Sequence, residues 1–182
     1  MGETEVFYEI ELKSLLSREI FDNLYKILPQ KMKLINEDTI HTTRYRPGDI
    51  RLRYSNKIIE LIEKEGDVTI ICRKETRMPL ESMDILNQHH ERLRNSNFKA
   101  DPPWIKHKRE FEYKYKGFTY VVCVQDIKDF AYIIEVEHLS DTDDSAIHEP
   151  NLKAIIKELG CEPIEPKDFL NRIKRYIEEN KK

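Results

Sequence analysis

Between positions 5 and 13 the chain alternates without a break. Val6, Tyr8, Ile10 and Leu12 fall on one face of an extended segment, and Glu5, Phe7, Glu9, Glu11 and Lys13 fall on the other. The period then changes. Ser17 precedes Ile20, Phe21, Leu24, Ile27 and Leu28 at helical spacing, with Glu19 in the first turn, and this predicts a helix ending near Pro29. From 39 to 77 strand-like pieces are punctuated by Pro47-Gly48 and by Glu65-Gly66-Asp67, the latter reading as a hairpin turn between 58–64 and 68–77. A helix is predicted over 82–94, through Ile85, Leu86, His89 and Leu93. Strands follow over 105–115, 118–125 and 131–139, with Gly117 turning between the first two. The polar stretch 140–148 leads to helices over 150–159, closed by Gly160, and over 168–179, opened after Pro166.

This order, with antiparallel connections throughout, predicts one α+β domain over 1–182 built on a large sheet or barrel. Ionic residues repeat at alternate positions in several strands. Arg51 and Arg53 share a face, as do Glu60 and Lys64, then Arg73, Glu75 and Arg77, then Glu135 and Glu137. The opposite faces, with Val6, Tyr8, Ile10, Leu12, Tyr132, Ile134 and Val136, need burial, and amphipathic helices could cover them from outside. A closed sheet would then have an ionic lumen. Such a lumen costs desolvation unless acids, bases and a ligand compensate one another.

The charged fraction, 36%, is high, yet the net charge is only -3, which argues against a general nucleic-acid binder. Arginine forks and lysines suit a chain of phosphate oxygens. Carboxylates two apart on a strand face lie ~6.5–7 Å from each other and suit a hard divalent cation that bridges to phosphate, Mg²⁺ or Mn²⁺. Cys72, Cys123 and Cys161 are widely spaced, form no zinc pattern and are expected to be small core residues in a reducing compartment. The acidic start and the lack of a long apolar run lead to the expectation of a soluble cytoplasmic protein with no membrane partner.

Glu9-Ile10-Glu11-Leu12-Lys13 resembles the ExExK signature of the CYTH, or triphosphate tunnel metalloenzyme, superfamily, which includes class IV adenylyl cyclases and thiamine triphosphatase-like proteins. Arg51-Leu52-Arg53 looks like its RxR strand, and Asp126 followed by Glu135-Val136-Glu137 resembles its Asp-to-ExE segment. The Leu159-Gly160 helix end and the stretch 168–176 extend the likeness over nearly the whole chain. The resemblance implies an antiparallel eight-stranded β-tunnel with flanking helices. It implies metal contacts from Glu9, Glu11 and Glu137 with Glu135 beside them, and phosphate contacts from Lys13, Arg51, Arg53, Lys64 and Arg73. Lys106, Lys108 or Arg109 would supply the later basic strand; alternation puts Arg109 opposite the two lysines, so only one set can face the lumen without a bulge. Glu75 and Asp126 stand as supporting residues, and Glu9, Glu11 and Lys13 as the catalytic group. Two departures stand out: Arg77 replaces an acid of the family's RxExE segment, and Phe130-Ala131 replaces its Leu-Gly.

The function expected is metal-dependent hydrolysis of a triphosphate, whether inorganic, nucleoside or similar. The alternatives are a class IV-type cyclase converting ATP to cyclic AMP and pyrophosphate, or a non-catalytic polyphosphate or nucleotide binder. A triphosphate-bearing small molecule is the expected partner, and an RNA 5′-triphosphate end is the one nucleic-acid exception. Related tunnels often pair, so the resemblance leaves a homodimer open.

Overall fold

A computed structural model describes residues 2–180. In chain order the elements are β1 (Glu5–Leu16), α1 (Arg18–Lys31), β2 (Lys33–Arg46), β3 (Ile50–Tyr54), β4 (Ile59–Glu65), β5 (Cys72–Pro79), α2 (Met83–Asn95), β6 (Lys99–Ala100), β7 (Trp104–Tyr115), β8 (Phe118–Ile127), β9 (Ala131–Ser140), α3 (Ser145–Glu158) and α4 (Pro166–Glu179). The strands form a 9-stranded sheet in the order β3-β4-β5-β1-β9-β8-β7-β2-β6. Every pairing is antiparallel. A further β2–β3 pairing joins the two ends, so the sheet closes into a ring of eight strands with the two-residue β6 beside β2. The α+β antiparallel tunnel expected from the sequence is therefore present.

The apolar faces look outward. Ile10 and Leu12 of β1, Val122 and Val124 of β8, and Ile134 and Val136 of β9 pack with Phe21, Leu24 and Leu28 of α1 and with Leu152, Ile155 and Ile156 of α3. A second, smaller cluster joins Tyr45 of β2 and Leu52 of β3 to Leu86 of α2. Val6 departs from the expected burial: at the outer end of β1 it belongs to neither cluster and is 54% exposed. Cys72 and Cys161 are core residues as expected, whereas Cys123 is buried on the inner face.

Local signals fix several joints. The Ser17 side chain accepts from the Ile20 amide at 3.2 Å and starts α1. Lys116 and Gly117, with φ of 49° and 84°, make the two-residue β7–β8 turn, whose positive φ values match the twist of a tight hairpin. At the end of α3 the Cys161 amide bonds the Ile156 carbonyl at 3.1 Å and the Gly160 amide bonds Lys157 at 2.9 Å, a Schellman closure around Gly160 at φ 75°.

Several predicted boundaries move. Helix α1 runs past Pro29 to Lys31; the ring nitrogen cannot bond the Tyr25 carbonyl, and Arg109 Nη1 approaches that oxygen at 3.5 Å instead. Strand β2 starts at Lys33 rather than 39 because its early residues pair with β7, across a register shift between Leu34 and Asn36. Residues 67–71 form a loop in place of the predicted strand start. Helix α3 begins at Ser145, through Pro150, where the buried His148 and Asn151 both bond the Tyr120 hydroxyl, at 2.8 and 2.9 Å. No helix among the described residues is long and apolar enough to cross a membrane.

Replacing the fully buried Leu28 by alanine leaves a cavity between α1 and the ring. Urea denaturation of Leu28→Ala is expected to show a loss of about 2–5 kcal/mol.

Candidate metal and phosphate-binding site

Inside the ring the alternation that sent the apolar side chains outward turns Glu9, Glu11 and Lys13 of β1 inward. Arg51 and Arg53 of β3, Lys64 of β4, Arg73 and Arg77 of β5, Lys106, Lys108 and Glu110 of β7, and Glu135 and Glu137 of β9 join them around a cavity of about 210 Å³. One mouth is flanked by α4. Phe169, Leu170 and Ile173 line the cavity there, and Phe130 packs against Phe169, Tyr176 and Trp104. Phe130 thus gives α4 an aromatic anchor at that corner.

The carboxylates divide into two sets. Glu9, Glu11 and Glu137 each bring an oxygen within 4.8 Å of the others. Glu135 instead pairs with Lys13 at 3.0 Å, and Lys13 also reaches Glu11 at 2.5 Å. Burial, together with the charges of Glu9, Glu135 and Glu11, raises the Glu137 carboxyl well above the usual range. Burial also raises Glu9, against the pull of Lys64, with which it is ion-paired. For Glu11 burial is outweighed by Lys13, Lys64 and Arg51, which hold it below the usual range. Three carboxylates, one buried and two half-buried, with unequal proton affinities and two of them disfavoured as anions, form a donor set of the kind a hard divalent cation satisfies.

The basic residues are mostly tied to carboxylates. Arg53 pairs with Glu60 at 2.5 Å, and Lys108 with Glu110 at 2.5 Å. Arg77 donates to Glu75 at 2.5 Å, lies 3.8 Å from Glu9 and stacks 4.7 Å from the Phe7 ring centre. Arg77 therefore places a cation beside the carboxylate cluster. Lys64 Nζ lies 2.9 Å from Glu75 Oε2, close enough for attraction but off the hydrogen-bonding direction, which leaves that buried oxygen unpaired. Burial, then Arg53, Lys108 and Arg51 against the opposing Glu135, presses the Lys106 ammonium down to about 8.

Two of the expected site residues lie elsewhere. Arg109 is on the outer face, its guanidinium 3.7 Å above the Tyr25 ring and its Nε donating to Glu37 at 2.9 Å. With Lys106 and Lys108 inside, strand alternation leaves it no other place. Asp126 is likewise excluded, since its neighbours Gln125 and Ile127 take the inward positions. Thr42, Arg44 and Asp49 line the cavity and were not singled out in the sequence. Extension of the β2 alternation from Thr42 to Arg44 could have signalled those two, whereas Asp49 lies in the turn before β3 and no periodicity points to it.

The fold has known counterparts. A protein from Pyrococcus horikoshii OT3 superposes with a TM-score of 0.71 at 22% identity, covering 92% of this chain and 99% of its own. A "putative adenylate cyclase" from Vibrio parahaemolyticus gives 0.62 at 16% identity, covering 85% and 90%. Another "putative adenylate cyclase", from Bacillus halodurans, gives 0.56 at 19% identity, covering 90% and 94%. At these identities the likeness is one of fold. No family model matches the chain, and no curated protein does.

A carboxyl whose pKa is raised on folding costs stability once pH exceeds its unfolded value, because the anion must then be accommodated. Glu137→Gln is therefore expected to raise the melting temperature in EDTA at pH 7.5; a gain of about 1 kcal/mol moves a chain of this size by roughly 2–4 °C. Lys106 loses its charge as pH rises through about 8. Tripolyphosphate affinity, read by calorimetry across that range, should fall in the wild type and stay flatter in Lys106→Arg, which keeps its charge.

Proposed function

We propose that this protein binds a triphosphate inside the ring and, with Mg²⁺ or Mn²⁺ on Glu9, Glu11 and Glu137, hydrolyses it. The observation that carries the reading is the cluster of three carboxylates with oxygens within 4.8 Å, surrounded by inward-facing lysines and arginines. A plain anion binder would need the bases alone, and the carboxylates would oppose it.

A divalent cation held there supplies Lewis-acid polarisation of a phosphoryl oxygen and lowers the pKa of a bound water. Arg51, Arg53, Arg73, Lys64, Lys106 and Lys108 hold the phosphate oxygens and neutralise their charge, Arg53, Lys64 and Lys108 exchanging part of their pairing with Glu60, Glu9, Glu75 and Glu110 for the ligand. Lys13, gripped between Glu11 and Glu135, brings a donor to the edge of the carboxylate cluster, where charge on a departing phosphate is stabilised. Burial strengthens each of these contacts by excluding water. Hydrolysis needs only a phosphate chain and a water beside the charged side chains that line the lumen.

Cyclisation of ATP is the second reading, favoured by the names of the Vibrio and Bacillus proteins that share the fold. The same side chains would hold the triphosphate while a ribose hydroxyl attacks the α-phosphorus. The free cysteines fit a reducing, cytoplasmic setting.

Ion-exchange analysis of ATP and inorganic triphosphate after incubation with Mg²⁺ or Mn²⁺ tests both readings. Orthophosphate release that the Glu9→Gln/Glu11→Gln variant loses supports hydrolysis. Cyclic AMP with pyrophosphate replaces it by the second reading, and turnover that persists in EDTA overturns both.

A further inference from the structure

Asp49 sits on the turn before β3, and its side chain is 2% exposed. Its Oδ1 accepts from Arg44 Nε at 2.8 Å and Arg51 Nε at 2.9 Å, and its Oδ2 accepts from Arg51 Nη2 at 2.9 Å and Arg73 Nη1 at 2.7 Å. Four donors fill the four lone-pair sites of the carboxylate, leaving it no capacity for a cation or a proton. The backbone is held too, since the Lys64 amide donates to the Asp49 carbonyl at 3.0 Å.

Three guanidiniums on different strands thus converge on one carboxylate, and their combined charge exceeds what Asp49 neutralises. Their remaining N–H groups are committed only once among the described residues, Arg73 Nη2 bonding the Lys64 carbonyl at 3.0 Å. Arg73 Nε and Thr42 Oγ1, both on cavity-lining residues, are buried without any partner. Unpaired buried polar atoms beside surplus positive charge are what an absent anion leaves behind.

We propose that Asp49 is a positioning residue that aims Arg44, Arg51 and Arg73 at one phosphoryl group of a longer phosphate chain, so that chain length is read from this wall. The proposal rests on the triphosphate reading above. It distinguishes a built subsite from a merely positive one: a single orthophosphate can sit anywhere in the basic lumen, whereas a tripolyphosphate must match fixed donors at several points.

Asp49→Glu separates geometry from charge, because it keeps the carboxylate and displaces it by one methylene. Calorimetry in EDTA with sodium tripolyphosphate and sodium orthophosphate is the measurement. Tripolyphosphate affinity should fall about tenfold or more, misplacement by ~1 Å being enough for such a loss, while orthophosphate affinity changes little. That ratio would not move if Asp49 only held the fold together. Arg44→Lys, at a position still 18% exposed and with the charge retained, should shift the ratio in the same direction and decides the matter if Asp49→Glu does not fold. Unchanged tripolyphosphate affinity in either folded variant overturns the role of Asp49 while leaving the triphosphate reading intact. Failure of the wild type to bind tripolyphosphate in EDTA overturns the role of Asp49, and failure with Mg²⁺ present as well overturns both.

Discussion

An ion buried without a partner loses its hydration and gains nothing in return, and that cost governs the whole of this molecule. The ring places its charges inside and its aliphatic side chains outside, the reverse of the usual arrangement. Most inward cations are therefore found against a carboxylate, Lys13 with Glu11 and Glu135, Arg53 with Glu60, Arg77 with Glu75, and Lys106, which has no such partner, is pressed toward its neutral form. The helices follow from the same inversion. With Ile10, Val122 and Ile134 facing out, α1 and α3 must cover one side and α2 another.

Compensation within the ring is incomplete by design of the chain. The cluster of Glu9, Glu11 and Glu137 concentrates negative charge, while the wall of Arg44, Arg51 and Arg73 concentrates positive charge around one aspartate. Opposite imbalances lining one cavity, with Arg73 the register partner of Glu9 across β1 and β5, are suited to a ligand that carries both a cation and several phosphate oxygens. Buried ion pairs of this sort are weak contributors to stability. Their value here lies in holding donors at fixed points before a ligand arrives.

Much of this was legible in the sequence because strict alternation leaves little freedom. Once Ile10 and Leu12 are taken as buried by helices, Glu9 and Glu11 have only the inside to occupy, and the same logic places Arg51, Arg73 and Glu137. What was not legible depended on contacts distant in sequence. The early part of β2 is polar and irregular, and pairing with β7 alone makes it a strand. Arg109 could be separated from Lys106 and Lys108 only by knowing which face β7 turns inward. Asp126 carried weight by resemblance, yet its parity puts it outside. Asp49 is in a turn, where alternation says nothing, and its three partners lie on three strands.

Closure of the ring has a further result. A chain this rich in β-structure would ordinarily present rows of unpaired amides and carbonyls along its outermost strands, templates on which another copy could add. Here the β2–β3 pairing over His41–Tyr45 joins the two ends of the sheet, so that among the described strands the segments left with one paired side are short: the two-residue β6 and the early part of β2, Lys33–Ile40, among them. The molecule thereby carries its own protection against sheet-to-sheet aggregation, obtained from the same backbone bonds that enclose the lumen.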